Sequence, residues 1–178
     1  MSDEHPYLGT SLSPREYYEQ EADRYCNPHA PGIAKLLEQV GRHLHGRVLD
    51  LGCGDGLATK LLAGRGLDFV GADNAPRMIA RYEAETGRPG HVAGFADPLP
   101  PCDSVVSIYA MHLAEPGEVP LMWYRLWEAG ADRVVVVTPL KERPAPPEHY
   151  FKRLAAVSGP YGPDDKTIHA HVYAREEG

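Results

Sequence analysis

Hydrophobic residues along this chain follow two spacings, one typical of buried strands and the other of amphipathic helices. Short apolar runs predict strands, and these cover residues 47–51, 69–73, 91–95, 104–109 and 133–137. Apolar residues three or four positions apart, bounded by proline or glycine, predict helices, and these cover residues 14–25, 32–43, 57–63, 76–86 and 118–128. Because strand and helix alternate with short connections, we expect an α/β fold with a mostly parallel sheet and helices on both faces.

The pattern changes after Thr138, where several prolines argue against a helix before Glu148. Residues 167–173 alternate, with Ile168, Ala170 and Val172 on one side and two histidines and a tyrosine on the other, which is strand periodicity. Residues 150–157 are compatible with either a strand or a helix. We favour an antiparallel hairpin that closes the sheet.

A chain of 178 residues fits a single domain. We divide it into a flexible arm (1–13), N-terminal helices (14–45), a ligand-binding core (46–138) and a C-terminal hairpin region (139–178). Hydrophobic residues make up 43% and charged residues 24%, as in ordinary globular proteins. The formal net charge of −7 makes a nucleic-acid partner unlikely, because such a partner usually requires a basic face.

Metal, disulfide and membrane signals are weak. The three cysteines are scattered singly, and His169 and His171 have no acid or cysteine beside them, so we expect no metal and interpret these histidines as a solvent-facing strand surface. The N-terminus does not resemble a signal peptide, and no apolar stretch approaches the roughly 20 residues that cross a bilayer. We therefore expect a cytoplasmic protein without membrane contact, and the sequence does not indicate its oligomeric state.

The clearest candidate for a ligand-binding segment is the glycine loop of residues 52–56, between a predicted strand and a predicted helix. Glycines there allow a ligand to approach the backbone, but the dinucleotide fingerprint requires a glycine where Leu57 stands. Asp50 at the strand tip would bind an ammonium group and repel a pyrophosphate. Asp73, at the end of the next strand, is placed to accept both hydroxyls of a ribose.

Four segments together resemble class I S-adenosylmethionine (SAM)-dependent methyltransferases. Residues 48–56 (VLDLGCGDG) are similar to motif I of that family, and residues 70–78 (VGADNAPRM) to its second motif. Residues 94–100 and 103–112 resemble the segments that follow the third strand and form the fourth. The resemblance covers about residues 15–138. It implies a Rossmann-like, doubly wound sheet, SAM as cofactor and S-adenosylhomocysteine (SAH) as product.

By this resemblance, the glycine loop would hold the methionine end of SAM and the next two segments its adenosine. The implied methionine-end residues are Asp50, Gly52, Cys53, Gly54 and Gly56. The implied adenosine residues are Asp73 at the ribose, and Asn74 and Ala96 at the adenine. Phe95 stands where the family often has an acid that accepts from the adenine amino group. Either Asp97 takes that role or Phe95 packs on the adenine ring.

Fewer residues are candidates for binding or activating the molecule that accepts the methyl group. His112 follows the fourth strand and is a candidate general base or acceptor ligand, or else a packing residue, and Tyr109 is expected to line the cofactor pocket. The tyrosine-rich first helix, with Tyr17, Tyr18 and nearby Tyr25, would form a lid or pack on the sheet edge. His29 follows this helix and could face the acceptor, but we favour the interpretation that it is a surface-loop residue.

The sequence therefore predicts a methyltransferase that acts on an oxygen or nitrogen of a small molecule, by in-line displacement and mainly through proximity. An RNA methyltransferase and a SAM-binding regulatory protein without catalysis are the alternatives. Leu57 and Asp50 argue against a nicotinamide oxidoreductase.

Overall fold

The computed structural model describes residues 10–140, 145–160 and 166–176. The predicted arm therefore lies outside the described residues as far as residue 9. The helices are α1 (Pro14–Glu21), α2 (Ala30–Val40), α3 (Leu57–Leu62), α4 (Pro76–Thr86) and α5 (Val119–Glu128). The strands are β1 (Arg47–Leu51), β2 (Asp68–Asp73), β3 (Gly90–Val92), β4 (Ser104–Ile108), β5 (Arg133–Thr138), β6 (Phe151–Gly159) and β7 (Ile168–Arg175).

The described strands form one seven-stranded sheet in the order β3-β2-β1-β4-β5-β7-β6. Strands β1 to β5 are parallel, whereas β7 runs antiparallel to β5 and β6 antiparallel to β7. The prediction of a mostly parallel α/β sheet with a C-terminal antiparallel hairpin is therefore confirmed. The stretch that the sequence left open, residues 150–157, lies mainly in strand β6.

Helices cover both faces of the sheet, because every central strand carries apolar side chains on both sides. On one face, α2 and α3 pack through Ile33, Leu36 and Leu62. On the other face, α5 packs through Trp123 and Leu126. Large side chains buried this completely each contribute roughly 1.5–3 kcal/mol, so these two layers fix where the strand tips stand.

Two predicted boundaries are wrong for local reasons. Strand β3 stops at Val92, because residues 94–97 form a tight turn in which the Asp97 carboxylate accepts the Gly94 N–H at 2.7 Å. Helix α1 stops at Glu21, whose carbonyl accepts the N–H groups of Arg24 and Tyr25 in a closing turn at 2.9 and 2.8 Å. Both turns bring residues to the cavity described below.

The interpretation of the β7 histidines as solvent-facing is wrong for His171, which is 4% exposed. Strand β7 lies inside the sheet between β5 and β6, and Trp123 packs over this face with its ring 5.2 Å from that of Tyr173. His169 is less buried, and its Nδ1 bonds to the Ser158 hydroxyl at 2.7 Å. Within the described ranges, no group of residues has the composition of a metal site, and no helix is long and apolar enough to span a membrane.

Candidate functional site

A cavity of about 310 Å³ opens at the carboxyl ends of β1, β2 and β4. The strand order reverses direction between β1 and β4, and a crevice at such a point is where doubly wound sheets bind ligands. The residues that line it come from the N-terminal segment, the strand tips and the loop after β4. They are Ser13, Pro14, Arg15, Tyr18, Tyr25, Leu51, Gly52, Gly54, Asp73, Asn74, Met78, Ala93, Gly94, Phe95, Ile108, Tyr109, Ala110, Leu113, Glu115 and Glu118.

The glycine loop forms one wall of the cavity, and its backbone requires glycine. Gly52 has a φ of 67°, and a Cβ there would lie 2.2 Å from the Cβ of Ala110. Gly54 has a φ of 50°, and a Cβ there would lie 3.5 Å from the Tyr25 ring. The loop is held by the Ala72 carbonyl, which accepts the Gly52 N–H at 2.8 Å. Bare backbone therefore faces the cavity, as close approach of a ligand demands.

Asp73 stands at the tip of β2 and lines the cavity, as its predicted role requires. Its carboxylate accepts the Gly54 N–H at 3.1 Å and the Ala75 N–H at 3.0 Å. Burial raises the pKa of Asp73, while these backbone hydrogen bonds act in the opposite direction. A carboxylate has about four acceptor sites, so the two oxygens can still accept further hydrogen bonds from a ligand. Asn74 lines the cavity beside it.

Asp50 lies behind the glycine loop and outside the cavity lining. It is 2% exposed, and its Oδ2 accepts from the Thr59 hydroxyl at 2.8 Å and the Thr59 N–H at 3.3 Å. Burial raises the pKa of Asp50 to about 7. Cys53 is also buried behind the loop, where it packs with Ile79 and Tyr82, and burial raises the pKa of its thiol. Gly56 is likewise buried and does not line the cavity.

Strand β3 is followed by a turn that presents Gly94 and Phe95 to the cavity. Asp97 is exposed and its carboxylate is bonded to the Gly94 N–H. Ala96 directs its carbonyl to the Arg125 guanidinium, whose Nε donates at 3.1 Å, and neither Ala96 nor Asp97 is among the lining residues. Of the two residues named for this position, Phe95 lines the cavity and Asp97 does not.

Beyond β4, Tyr109 lines the cavity with a φ of 53°, a value that non-glycine residues rarely adopt. Its ring stacks on His29 with 4.8 Å between centroids and an interplanar angle of 21°. His112 meets the same ring edge-on at 5.9 Å and is not among the lining residues.

The interpretation of His29 as a surface-loop residue is wrong, because it is only 7% exposed. A signal was present in the sequence: the residue stands immediately before α2, which precedes β1. The start of a helix that leads back into a strand lies at the edge where that strand ends, which is the edge that carries the cavity.

The N-terminal segment covers part of the cavity through Tyr18 and Tyr25, whereas Tyr17 is not among the lining residues. The Tyr18 and Tyr25 rings meet edge-on at 5.5 Å. Arg81 of α4 fixes the segment, since its guanidinium donates to the carbonyls of Ala22 and Tyr25 at 2.6 and 2.7 Å. Sequence reasoning found Asp73 but missed the other charged lining residues, which are Arg15, Glu115 and Glu118.

Comparison with known proteins agrees with this geometry. Residues 49–131 match a family model described as a methyltransferase domain. Trans-aconitate 2-methyltransferase of Methylobacterium radiotolerans is 30% identical over 142 residues, which are 78% of this chain and 54% of the relative. The 2-heptyl-1-hydroxyquinolin-4(1H)-one methyltransferase of Mycobacteroides abscessus is 48% identical over 60 residues, which are 32% of this chain and 26% of the relative. Both names describe what those relatives act on.

Among solved structures, the N-methyltransferase NodS from Bradyrhizobium japonicum WM9 in complex with SAH has a TM-score of 0.73 at 13% identity. The match covers 93% of this chain and 100% of that one, and it establishes the shared fold. The matches to the curated relatives above span about a quarter to about half of those proteins. The matched domain, the strand order and the glycine loop beside Asp73 together support the assignment of this chain to the class I SAM-dependent methyltransferases.

Proposed function

We propose that this protein transfers the methyl group of SAM to an oxygen or nitrogen atom of a small-molecule acceptor. One observation carries the proposal. The glycine loop, Asp73 and Tyr109 line the same cavity, at the point where the strand order of the sheet reverses direction. The loop leaves bare backbone for the cofactor, and Asp73 supplies a carboxylate for the two ribose hydroxyls. Tyr109 stands at the adjoining strand tip, where an acceptor would enter.

When bound, SAM supplies a methyl carbon: its bond to sulfur breaks with the electron pair left on sulfur, the acceptor bonds to the carbon, and the acceptor proton passes to solvent or a base. The protein's part is mainly alignment and exclusion of water. In this proposal Gly52 and Gly54 bind the methionine end, Phe95 packs on the adenine, and Tyr18 and Tyr25 cover the cofactor.

The predicted roles of Asp50 at the methionine end and of His112 as a general base or acceptor ligand have different support. Asp50 would act from behind the loop as a negative charge toward the ammonium group, because its carboxylate is bonded to Thr59. His112 packs edge-on against Tyr109 and is not a lining residue, which supports alignment rather than general-base catalysis.

A small acceptor is supported by the limited volume of the cavity, which the cofactor must share, and by the segment that covers part of it. The cavity of about 310 Å³ lies near the lower end of the size of small-molecule sites. The relatives whose printed names give an acceptor name small molecules, trans-aconitate and an alkylated hydroxyquinolone. The net charge of −7 makes a long RNA substrate less suitable.

Calorimetric titration with SAH tests the cofactor half of the proposal, and we expect saturable one-to-one binding. Absence of SAH binding, together with binding of NADH, would overturn the proposal. Transfer of a labelled methyl group from SAM to members of a panel of phenols, amines and carboxylic acids tests the other half. Transfer to RNA alone would replace the acceptor class, and SAH binding without transfer to any acceptor would favour a regulatory protein.

A further inference from the structure

Tyr109 is held in a conformation that it would not adopt by itself. It is the one non-glycine residue with a positive φ among the residues that the structure describes. Such backbone strain persists only where the surroundings fix it, and it is concentrated at binding and active sites. The Tyr109 N–H donates to the Val137 carbonyl at 2.8 Å, which fixes the backbone.

The Tyr109 ring is fixed by two histidines. His29 stacks on one face at 4.8 Å, and His112 abuts the ring edge-on at 5.9 Å. His29 is itself anchored, because its N–H donates to the Asn27 side chain at 2.9 Å and its carbonyl accepts the N–H groups of Gly32 and Ile33, both at 3.0 Å. The stack therefore ties the start of α2 to the tip of β4.

This ring stands beside the part of the cavity where the methyl group is expected. The next residue, Ala110, packs against Gly52 so closely that a Cβ on Gly52 would overlap it. Tyr25 lies against Gly54 in the same loop, and Tyr18 packs edge-on against Tyr25. Tyr18, Tyr25 and Tyr109 all line the cavity, and Tyr109 is the one of the three that is not already assigned to cover the cofactor.

The charges around the cavity are mostly of one sign. Among the described lining residues, Arg15 is the one cation, whereas Asp73, Glu115 and Glu118 are acids. An acceptor with several carboxylates would need several cationic partners, usually arginines. Placed here, it would meet like charges instead.

We propose that the acceptor is a planar aromatic molecule without net negative charge, whose ring packs against Tyr109, and that His29 is the positioning residue that holds Tyr109 in place. The inference rests on the proposed function, since it assigns the acceptor class of the same site. Aromatic pairs prefer offset-stacked or edge-on contacts, and the three tyrosines offer both.

The experiment uses the full chain saturated with SAH and measures ligand binding by saturation-transfer NMR and titration. The probes are two neutral flat molecules, 2-naphthol and quinolin-4-ol, and two tricarboxylates, trans-aconitate and citrate. We expect the aromatic probes to bind and the tricarboxylates to bind at least about tenfold more weakly.

Three variants test the positioning. Tyr109→Leu and His29→Leu should each weaken the binding of the aromatic probes by about five- to tenfold, which is the range expected for loss of an aromatic pair. His29→Phe, which restores a ring for stacking, should recover most of that loss, and SAH affinity should stay within about threefold in both His29 variants, because His29 is not a lining residue. Tyr124→Leu is the matched control, because Tyr124 lies on α5 and is not a lining residue.

The proposal is overturned if the tricarboxylates bind the SAH-loaded protein as tightly as the aromatic probes, or if no aromatic probe binds at millimolar concentration. It is also overturned if Tyr109→Leu leaves the affinity for the aromatic probes unchanged. The wild-type probe comparison stands even if a variant fails to fold. Failure of SAH itself to bind the wild-type protein would instead refute the proposed function, so the two failures are distinguishable.

Discussion

Asp73 joins the glycine loop, the start of α4 and the cavity through one carboxylate. It accepts the N–H groups of Gly54 and Ala75, and its remaining acceptor sites face the place proposed for the ribose. An asparagine at this position keeps one acceptor for the backbone but loses the charge. The functional and structural roles of Asp73 are therefore partly separable.

We expect Asp73→Asn to weaken SAH binding roughly ten- to a hundredfold, because hydrogen bonds to a charged group are worth ~1.5–3 kcal/mol. Titration calorimetry measures the change. Asp97→Asn is the control, since Asp97 is exposed and is not a lining residue, and its SAH affinity should stay within about twofold. A larger loss in Asp97→Asn than in Asp73→Asn would show that Asp97, rather than Phe95, serves the adenine and that the ribose is misplaced.

Asp50 makes the stability of the ligand-free protein depend on pH. Its pKa in the folded chain, about 7, lies above the roughly 3.9 of an unfolded aspartate, so folding favours the protonated form. The stabilisation is complete below about pH 4 and is lost as the pH rises to about 7. The shift corresponds to at most about 4 kcal/mol.

Asp50→Asn should therefore raise the free energy of unfolding more at pH 8 than at pH 5, because the carboxyl of the folded wild-type protein loses its proton between these two pH values. Urea denaturation of the ligand-free proteins at both pH values measures the difference. The asparagine side chain still offers an oxygen to the Thr59 donors, which makes the substitution conservative. An equal effect at both pH values would contradict the raised pKa.

At the scale of elements, the N-terminal segment depends on α4 for its position. Arg81 donates to two backbone carbonyls at the end of that segment, next to Tyr25. Replacing it leaves the carbonyls of Ala22 and Tyr25 without their charged donor. The segment would then be free to move away from the cavity that Tyr18 and Tyr25 line.

We expect Arg81→Met to weaken SAH binding about tenfold and to expose the segment before α2 to limited proteolysis, because each lost charge-assisted hydrogen bond costs about 1.5–3 kcal/mol. Arg88→Met is the matched control: Arg88 forms a surface ion pair with Asp68 at 3.7 Å, of a kind worth only about 0–1 kcal/mol. Equal SAH affinity and equal proteolysis in both variants would show that the segment does not cover the cofactor.

Where the local sequence signals are strong, the first and last residues of an element could be predicted from the sequence. Helix α4 begins at Pro76 and ends before Gly87, whose φ of 65° makes it a typical C-terminal cap. The end of β3 could not be predicted, because the strand is terminated by a hydrogen bond in which the Asp97 side chain accepts the Gly94 N–H. That bond depends on how a turn closes in space rather than on periodicity.

The same division applies to the candidate site. Gly52, Gly54, Asp73 and Tyr109 were predictable, since parallel strand tips meet at one edge of the sheet, and all four line the cavity. The orientation of Asp50 could not be predicted, because it depends on the hydroxyl of Thr59. That hydroxyl lies nine residues further along the chain and reaches Asp50 only once α3 packs against the sheet. The place of His29 at the cavity edge could be predicted from its position before α2, but its stacking partner Tyr109 lies 80 residues further along the chain and could not.

At the scale of the whole molecule, the C-terminal hairpin completes the core. Strand β7 pairs with β5 on one side and β6 on the other, and its residues Ile168, Ala170 and Val172 are fully buried. The opposite face of β7 carries His171, which the sheet and the layer above it enclose. Burial lowers the pKa of His171, and the nearby charges of Arg153 and His169 lower it further.

A histidine whose pKa is lower in the folded than in the unfolded chain destabilises the fold in acid. Its cost is absent above the unfolded pKa of about 6.5 and grows as the pH falls below that value, because the unfolded chain takes up the proton more readily. Asp50 acts in the opposite direction over the same range. The two groups must therefore be separated, which the Asp50→Asn background achieves.

In that background, we expect the free energy of unfolding to fall between pH 7.5 and pH 5, and His171→Leu to remove most of the fall. Leucine also fits the apolar surroundings of β7, so the variant should remain folded at pH 7.5. His91→Gln is the control, because His91 is exposed on the edge strand β3 and its replacement should leave the pH dependence intact. Urea denaturation across this range measures both variants. If His171→Leu in that background retains the pH dependence of Asp50→Asn alone, the acid sensitivity arises elsewhere, and the interior of the C-terminal hairpin does not set it.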